Sequence, residues 1–300
     1  MLGHARGLTP DMVRKDYVVA YREMRRAGYT AVGEFHYIGF EEAEAAVDSA
    51  EEAGIGIVLL LAAYARGGLE RFRQPSVRAY LEQVESLRSR GTSVGLAPHS
   101  VRACPREWLE EIGRYAERER LVLHIHADEQ PREIEECLAE HRLRPIELLA
   151  DTGCLGPRTT IVHATHADEG ELDLVADAQA RICLCPTTEA NLGDGFPPLE
   201  AILEREIPLC IGSDSNVRID PLEELREVEG IARRQALRRN VVPSDRLLEI
   251  GSEEGAAALG LDQWEGIEVD LEHPSLAGLE QNDVKAALVL GCGAEVFTRS

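Results

Sequence analysis

Lysine is almost missing from this chain. Of its 32 basic residues only Lys15 and Lys285 are lysine; the rest are arginine. Positive charge is scarce altogether, because 54 acidic residues leave a formal net charge of -22. A surface this acidic repels phosphate backbones and anionic lipids, which argues against nucleic-acid and membrane-surface partners. Long apolar runs are lacking too. None approaches the roughly 18 residues of a membrane helix and no apolar stretch near the start reads as a leader, so a cytoplasmic location is expected. The seven cysteines include no Cys-x-x-Cys pair, which excludes a cysteine-based zinc knuckle. Their odd number and irregular spacing suit buried, reduced thiols, with Cys183 and Cys185 expected on opposite faces of one strand. Neither GxGxxG nor a Walker-type GxxxxGK follows any apolar run, which weakens a nucleotide-binding reading.

What is present is a core. Apolar residues make up 44% of the chain and charged residues 29%, the balance of a folded globular protein. A length of 300 residues suggests two domains, yet one (β/α)8 barrel takes about 250 by itself. Short apolar strands are predicted at Thr30–Tyr37, Gly56–Tyr64, Ser93–Ser100, Leu121–Asp128, Thr159–His166, Arg181–Thr187 and Pro208–Asp214. Amphipathic helices are predicted at 11–28, 41–53, 75–90, 105–118, 131–151, 168–178, 197–205, 221–239 and 244–258. Runs such as Ile57-Val58-Leu59-Leu60-Leu61 suit parallel strands buried on both faces. Serial βα units indicate either a doubly wound sheet or a barrel.

The strand ends decide for the barrel. They read Glu34-Phe35-His36-Tyr37, Pro98-His99-Ser100, His124-Ile125-His126-Ala127-Asp128-Glu129, His163-Ala164-Thr165-His166 and Ser213-Asp214-Ser215-Asn216. Barrel active sites lie where the C-terminal strand ends converge. Packing alone does not account for so many histidines there, because a buried imidazole needs partners for its ring nitrogens. His124 and His126 share one strand face, and histidine is a common zinc ligand. Glu129, three residues on, can reach a water beside a metal without binding the metal. Asp214, taken alone, reads equally well as a cap for the next helix. Together His126, Glu129, His163 and Asp214 supply two ligands, an orienting base and a proton carrier.

These motifs resemble the amidohydrolase superfamily, in its mononuclear-zinc deaminase branch, and within that the formimidoylglutamate deiminases of histidine degradation. The resemblance is carried by Gly28–Tyr37, Ala97–Arg102, His124–Gln130, Val162–His166, Cys185–Gly195 and Gly212–Ser215. It implies a TIM-type (β/α)8 barrel and a hydrolase that removes ammonia from an amidine. It implies His126 and Asp214 as zinc ligands, Glu129 as proton shuttle and His163 as the group that orients water. Tyr37, His99 and Arg102 would form a pocket for a substrate carboxylate, since Arg102 can grip a carboxylate with two hydrogen bonds. Tyr37 reads otherwise as a half-buried strand aromatic.

Two family features have no counterpart. The first strand's His-x-His, which supplies two zinc ligands, is not found, and only His4 precedes His36. The small flanking β domain is largely missing. The reading is therefore residues 1–260 as strands 2–8 of a barrel and 261–300 as the remnant of a C-terminal segment. Zinc, one ion per chain in an intact relative, is expected to be weakly held or absent here, with little activity. A dicarboxylate amidine such as N-formimino-L-glutamate is the expected small-molecule substrate. The alternatives are a purine or cyclic-amidine aminohydrolase, or a barrel remnant without catalysis. A homodimer is a further expectation.

Overall fold

The computed structural model describes residues 8–298, so His4 lies outside the described residues. Seven strands form one sheet: β1 (Ala31–His36), β2 (Gly56–Ala63), β3 (Val94–Pro98), β4 (Leu123–Ala127), β5 (Thr159–His163), β6 (Arg181–Leu184) and β7 (Leu209–Ile211). Each runs parallel to its sequence neighbours, in the order β1 to β7. All seven predicted strands are there, slightly shortened.

Alternation along the strands builds two apolar layers. Leu59, Leu61, Leu96, Leu123, Ile125 and Ile161 face outward and pack with helix residues such as Val84, Leu109, Ile146 and Val175. Val58, Leu60, Ala97 and Val122 face inward with Phe35 and Leu259. The sheet is curled. Phe35 on β1 and His126 on β4 are three strands apart, a separation of about 14 Å in a flat sheet. Their ring centroids lie 4.5 Å apart. This is the geometry of a TIM-like barrel open on one side: among the described residues no ladder joins β7 to β1. A doubly wound sheet is ruled out, because strand order never reverses.

The interior is closed from below by the Glu253–Ala258 helix and the turn after it. His124 Nε2 lies 2.8 Å from the Ala258 carbonyl. Gly33 lets Leu259 approach so closely that a Cβ there would stand 2.5 Å from Leu259 Cδ2. Beside the open seam, the Pro10–Ala27 helix is capped by Thr9 and ended by Gly28 at φ 111. Its Tyr17 and Tyr21 hydroxyls donate to the Glu34 carboxylate at 2.8 and 3.1 Å.

The differences from the predicted elements have local causes. The 131–151 helix is two, Pro131–His141 and Pro145–Asp151, because Arg142 turns left-handed at φ 60 and Pro145 starts a new helix. The 244–258 helix likewise breaks at Ser252. β6 stops at Leu184, and Pro186 opens an unpredicted helix, Pro186–Leu192. Cys183 and Cys185 share the inner face and pack with Val162, Cys210 and Ala258, contrary to the expectation of opposite faces. Residues two apart on an extended chain point the same way. All seven cysteines are buried and none is in a disulfide. Beyond 260 the Gln281–Gly291 helix docks on the Pro221–Ala236 helix, where Arg226 donates to the Cys292 carbonyl at 2.6 Å. Among the described residues no helix is long and apolar enough to cross a membrane.

Candidate active site

The C-terminal strand ends converge on one cleft. His126, near the end of β4, has Nδ1 2.9 Å from the His99 carbonyl. That contact fixes the Nδ1 proton and leaves Nε2 as a lone pair. The His126 ring stacks on that of His163 at 5.4 Å and lies tilted against that of His99 at 4.7 Å. Burial, with the neighbouring histidine His163, holds His126 below the ordinary histidine range.

His163 ends β5 and is fully buried. Its Nδ1 is 3.2 Å from Glu189 Oε1. Its Nε2 has no hydrogen-bond partner. That nitrogen stands 3.7 Å from Asp214 Oδ2 and 4.0 Å from Glu129 Oε1. Burial pushes His163 down, but the carboxylates of Glu189, Glu129 and Asp214 outweigh it and leave the ring above its usual range. The strand-end backbone is strained: Asp128, His163, Ala164 and Asp214 have φ of 54, 78, 53 and 42. Non-glycine residues held there mark sites that the surrounding structure over-determines.

Arg102 lies on the wall, as expected, but its guanidinium is occupied. It donates to Glu129 Oε2 at 2.9 Å and lies 3.5 Å from Glu133 Oε1. Any carboxylate brought to Arg102 would compete with two of the chain's own. His99 lies tilted against Tyr64, ring centroids 4.6 Å apart, and burial holds it well below the usual range. Tyr37 is half-buried, with its ring 5.1 Å from that of Phe72. Its hydroxyl is pushed up by burial first, then by Glu34 and Asp214.

The sequence reading missed two residues of this cleft. Glu189 sits in the first turn of the Pro186–Leu192 helix, orients His163 and accepts from the Cys185 amide at 2.9 Å. Cys185 caps that helix and turns its thiol inward. The signal was the proline at position 186, which marks a helix start where a strand had been read on to Thr187. His124 is not in the cleft; it closes the barrel floor.

The donor set suits a divalent metal. A His163 ring nitrogen, Cys185 Sγ and an Asp214 carboxylate oxygen lie within 4.8 Å of one another. The orphaned, fully buried His163 nitrogen is the observation that makes the fit.

Comparison with known proteins agrees with this geometry. Residues 2–269 match the model of the amidohydrolase family. A formimidoylglutamate deiminase of Pseudomonas aeruginosa is 36% identical over 268 residues, covering 81% of this chain and 59% of that protein. A 5-methylthioadenosine/S-adenosylhomocysteine deaminase of Halobacterium salinarum is 29% identical, covering 80% and 56%. The chain thus spans somewhat over half the length of these relatives. An amidohydrolase structure from Brucella melitensis superposes with a TM-score of 0.86 at 29% identity, covering 98% of this chain and 75% of that one. A zinc-bound adenosine deaminase from Xanthomonas campestris shares the fold, with a TM-score of 0.87 at 23% identity over 98% and 69%. The chain belongs to the amidohydrolase family.

Proposed function

We propose that this cleft serves hydrolytic deamination, with N-formimino-L-glutamate as substrate and zinc as cofactor. Water would replace the imino group, giving N-formyl-L-glutamate and ammonia. The observation that carries the reading is the facing of Glu129 Oε1 and Asp214 Oδ2 on His163 Nε2 at 4.0 and 3.7 Å, with His126 stacked alongside. His126 and Asp214 would hold the ion, with His163 beside them. When bound, zinc lends Lewis acidity, which brings the pKa of a water down toward about 7.

The remaining work falls to side chains. Glu129 takes a proton from the attacking water and returns it to the departing nitrogen, a service worth about 10²–10⁴-fold. Arg102, 2.9 Å away, anchors that carboxylate. His163, locked by Glu189, turns Nε2 toward the reacting atoms. Tyr37, His99 and Arg102 form the wall against which the substrate carboxylate would rest.

A second reading has its own support. Arg102 is already engaged, and Phe35, Tyr37, Tyr64 and Phe72 make an aromatic wall around His99. Such a wall suits a flat base, and relatives include nucleoside deaminases. Ammonia release by the zinc-loaded chain from N-formimino-L-glutamate and from 5-methylthioadenosine separates the two. Weak release, from the first alone, is expected. Release only from the nucleoside selects the second reading, and zinc bound without release from either defeats both.

A further inference from the structure

The inner wall of the cleft holds a thiol that the mechanism above does not use. Cys185 Sγ comes within 4.8 Å of a ring nitrogen of His163 and of an Asp214 carboxylate oxygen. Donor atoms around one tetrahedral zinc stand about 3.3–3.8 Å apart, given bonds of about 2.0–2.3 Å. The His163–Asp214 separation of 3.7 Å already meets this. Two further observations point to an ion. His163 Nε2 is fully buried and has no hydrogen-bond partner. Glu189 Oε1, 3.2 Å from Nδ1, keeps the ring proton on the far side, the arrangement that readies a histidine to ligate. The same Glu189 oxygen accepts from the Cys185 amide at 2.9 Å, so one buried carboxylate positions both donors.

We propose that Cys185 Sγ is a metal ligand in this chain and shares one divalent ion with His163 Nε2 and Asp214. The proposal rests on the reading of the cleft as a metal site, and it moves His163 from beside the ion into its coordination shell. Thiolate, imidazole and carboxylate are all established zinc donors. The Sγ–metal bond replaces the S–H bond, and the proton leaves to solvent. Cys210, paired with Cys183 across β6 and β7, lies outside the donor cluster and serves as the control.

The test adds cobalt(II) to the metal-free chain and follows near-ultraviolet absorption. One cobalt per chain with an intense thiolate-to-cobalt band is expected. Cys185→Ser should lose the band and bind cobalt at least about tenfold more weakly. Cys210→Ser should keep both properties. Should Cys185→Ser melt early by circular dichroism, zinc-edge X-ray absorption on the unaltered chain decides, with one sulfur neighbour at about 2.3 Å expected. An ion with only nitrogen and oxygen neighbours, a band that survives in Cys185→Ser, or no bound ion overturns the proposal. A sulfur-bound ion without ammonia release leaves the ligand standing and removes the deaminase reading; ammonia release with a sulfur-free ion does the reverse.

Discussion

His124 and His126 stand two residues apart on β4, point into the same barrel and do opposite things. His124 Nε2 meets the Ala258 carbonyl at 2.8 Å, and burial holds its pKa down to about 4. It is a neutral tie between the barrel wall and the helix that closes the floor. His126 spends Nδ1 on the His99 carbonyl and keeps the other nitrogen for the cleft. His124 stands beside Thr160 of β5 in the strand register, with Arg181 near enough to help lower its pKa. Above it in the cleft, His126 stacks on His163, whose Nε2 faces the carboxylates of Asp214 and Glu129. The floor histidine ties two elements together while the cleft histidine keeps a nitrogen free, and depth, not residue type, separates the two.

The largest effects are expected at the mouth. Glu129→Gln should cut turnover by about 10²–10⁴-fold with metal content unchanged, since the carboxylate moves a proton and is not a ligand. Asp214→Ala should lose metal and turnover together. Metal analysis alongside ammonia release reads both, and equal metal loss in the two variants would mean that their roles are not distinct. Glu189→Gln removes the charge behind His163 Nδ1 and should weaken metal binding by about 10–100-fold, measured by competition with a chromophoric chelator. Unchanged affinity would leave Glu189 a helix-start residue only.

At the floor the same kind of change should touch stability and nothing else. His124→Leu leaves the Ala258 carbonyl without its partner and should lower the unfolding free energy by about 1–3 kcal/mol in a urea titration. Metal content should not move. A variant that loses metal as well would show that floor and mouth are one unit.

The sequence revealed the mouth better than the floor. Strand ends were readable because parallel strands buried on both sides are continuous apolar runs, and the residues breaking each run are the ones with chemistry. His126, Glu129, His163 and Asp214 were found that way. Cys185 and Glu189 were not, because Cys183-Leu184-Cys185 extends an apolar run and hides the helix that starts at Pro186. The partner of His124 was beyond reach as well. It comes from Ala258, distant in the chain, and no local spacing announces that contact. Arg102 was legible as a cation near the strand ends, but its pairing with Glu129 and Glu133 depends on the fold of the Pro131–His141 helix.

The finest distinction between the two layers is one of pH. His124 has a pKa of about 4 when folded against about 6.5 in an unfolded chain. Between those values the unfolded state binds the proton and the folded state does not, so unfolding gains as pH falls. The His124 contribution is whole above about pH 6.5 and lost by about pH 4. The loss should be about 1 kcal/mol at pH 6 and about 2 kcal/mol at pH 5. Buried acids such as Glu133, raised to about 7 by burial, titrate in the opposite sense and blur the total. His124→Gln isolates the term, because the amide can still donate to the Ala258 carbonyl and does not titrate. Urea midpoints of the two proteins between pH 7 and pH 5 should draw together by that amount. Parallel curves would mean that His124 is reached by water, and the floor would then be as wet as the mouth.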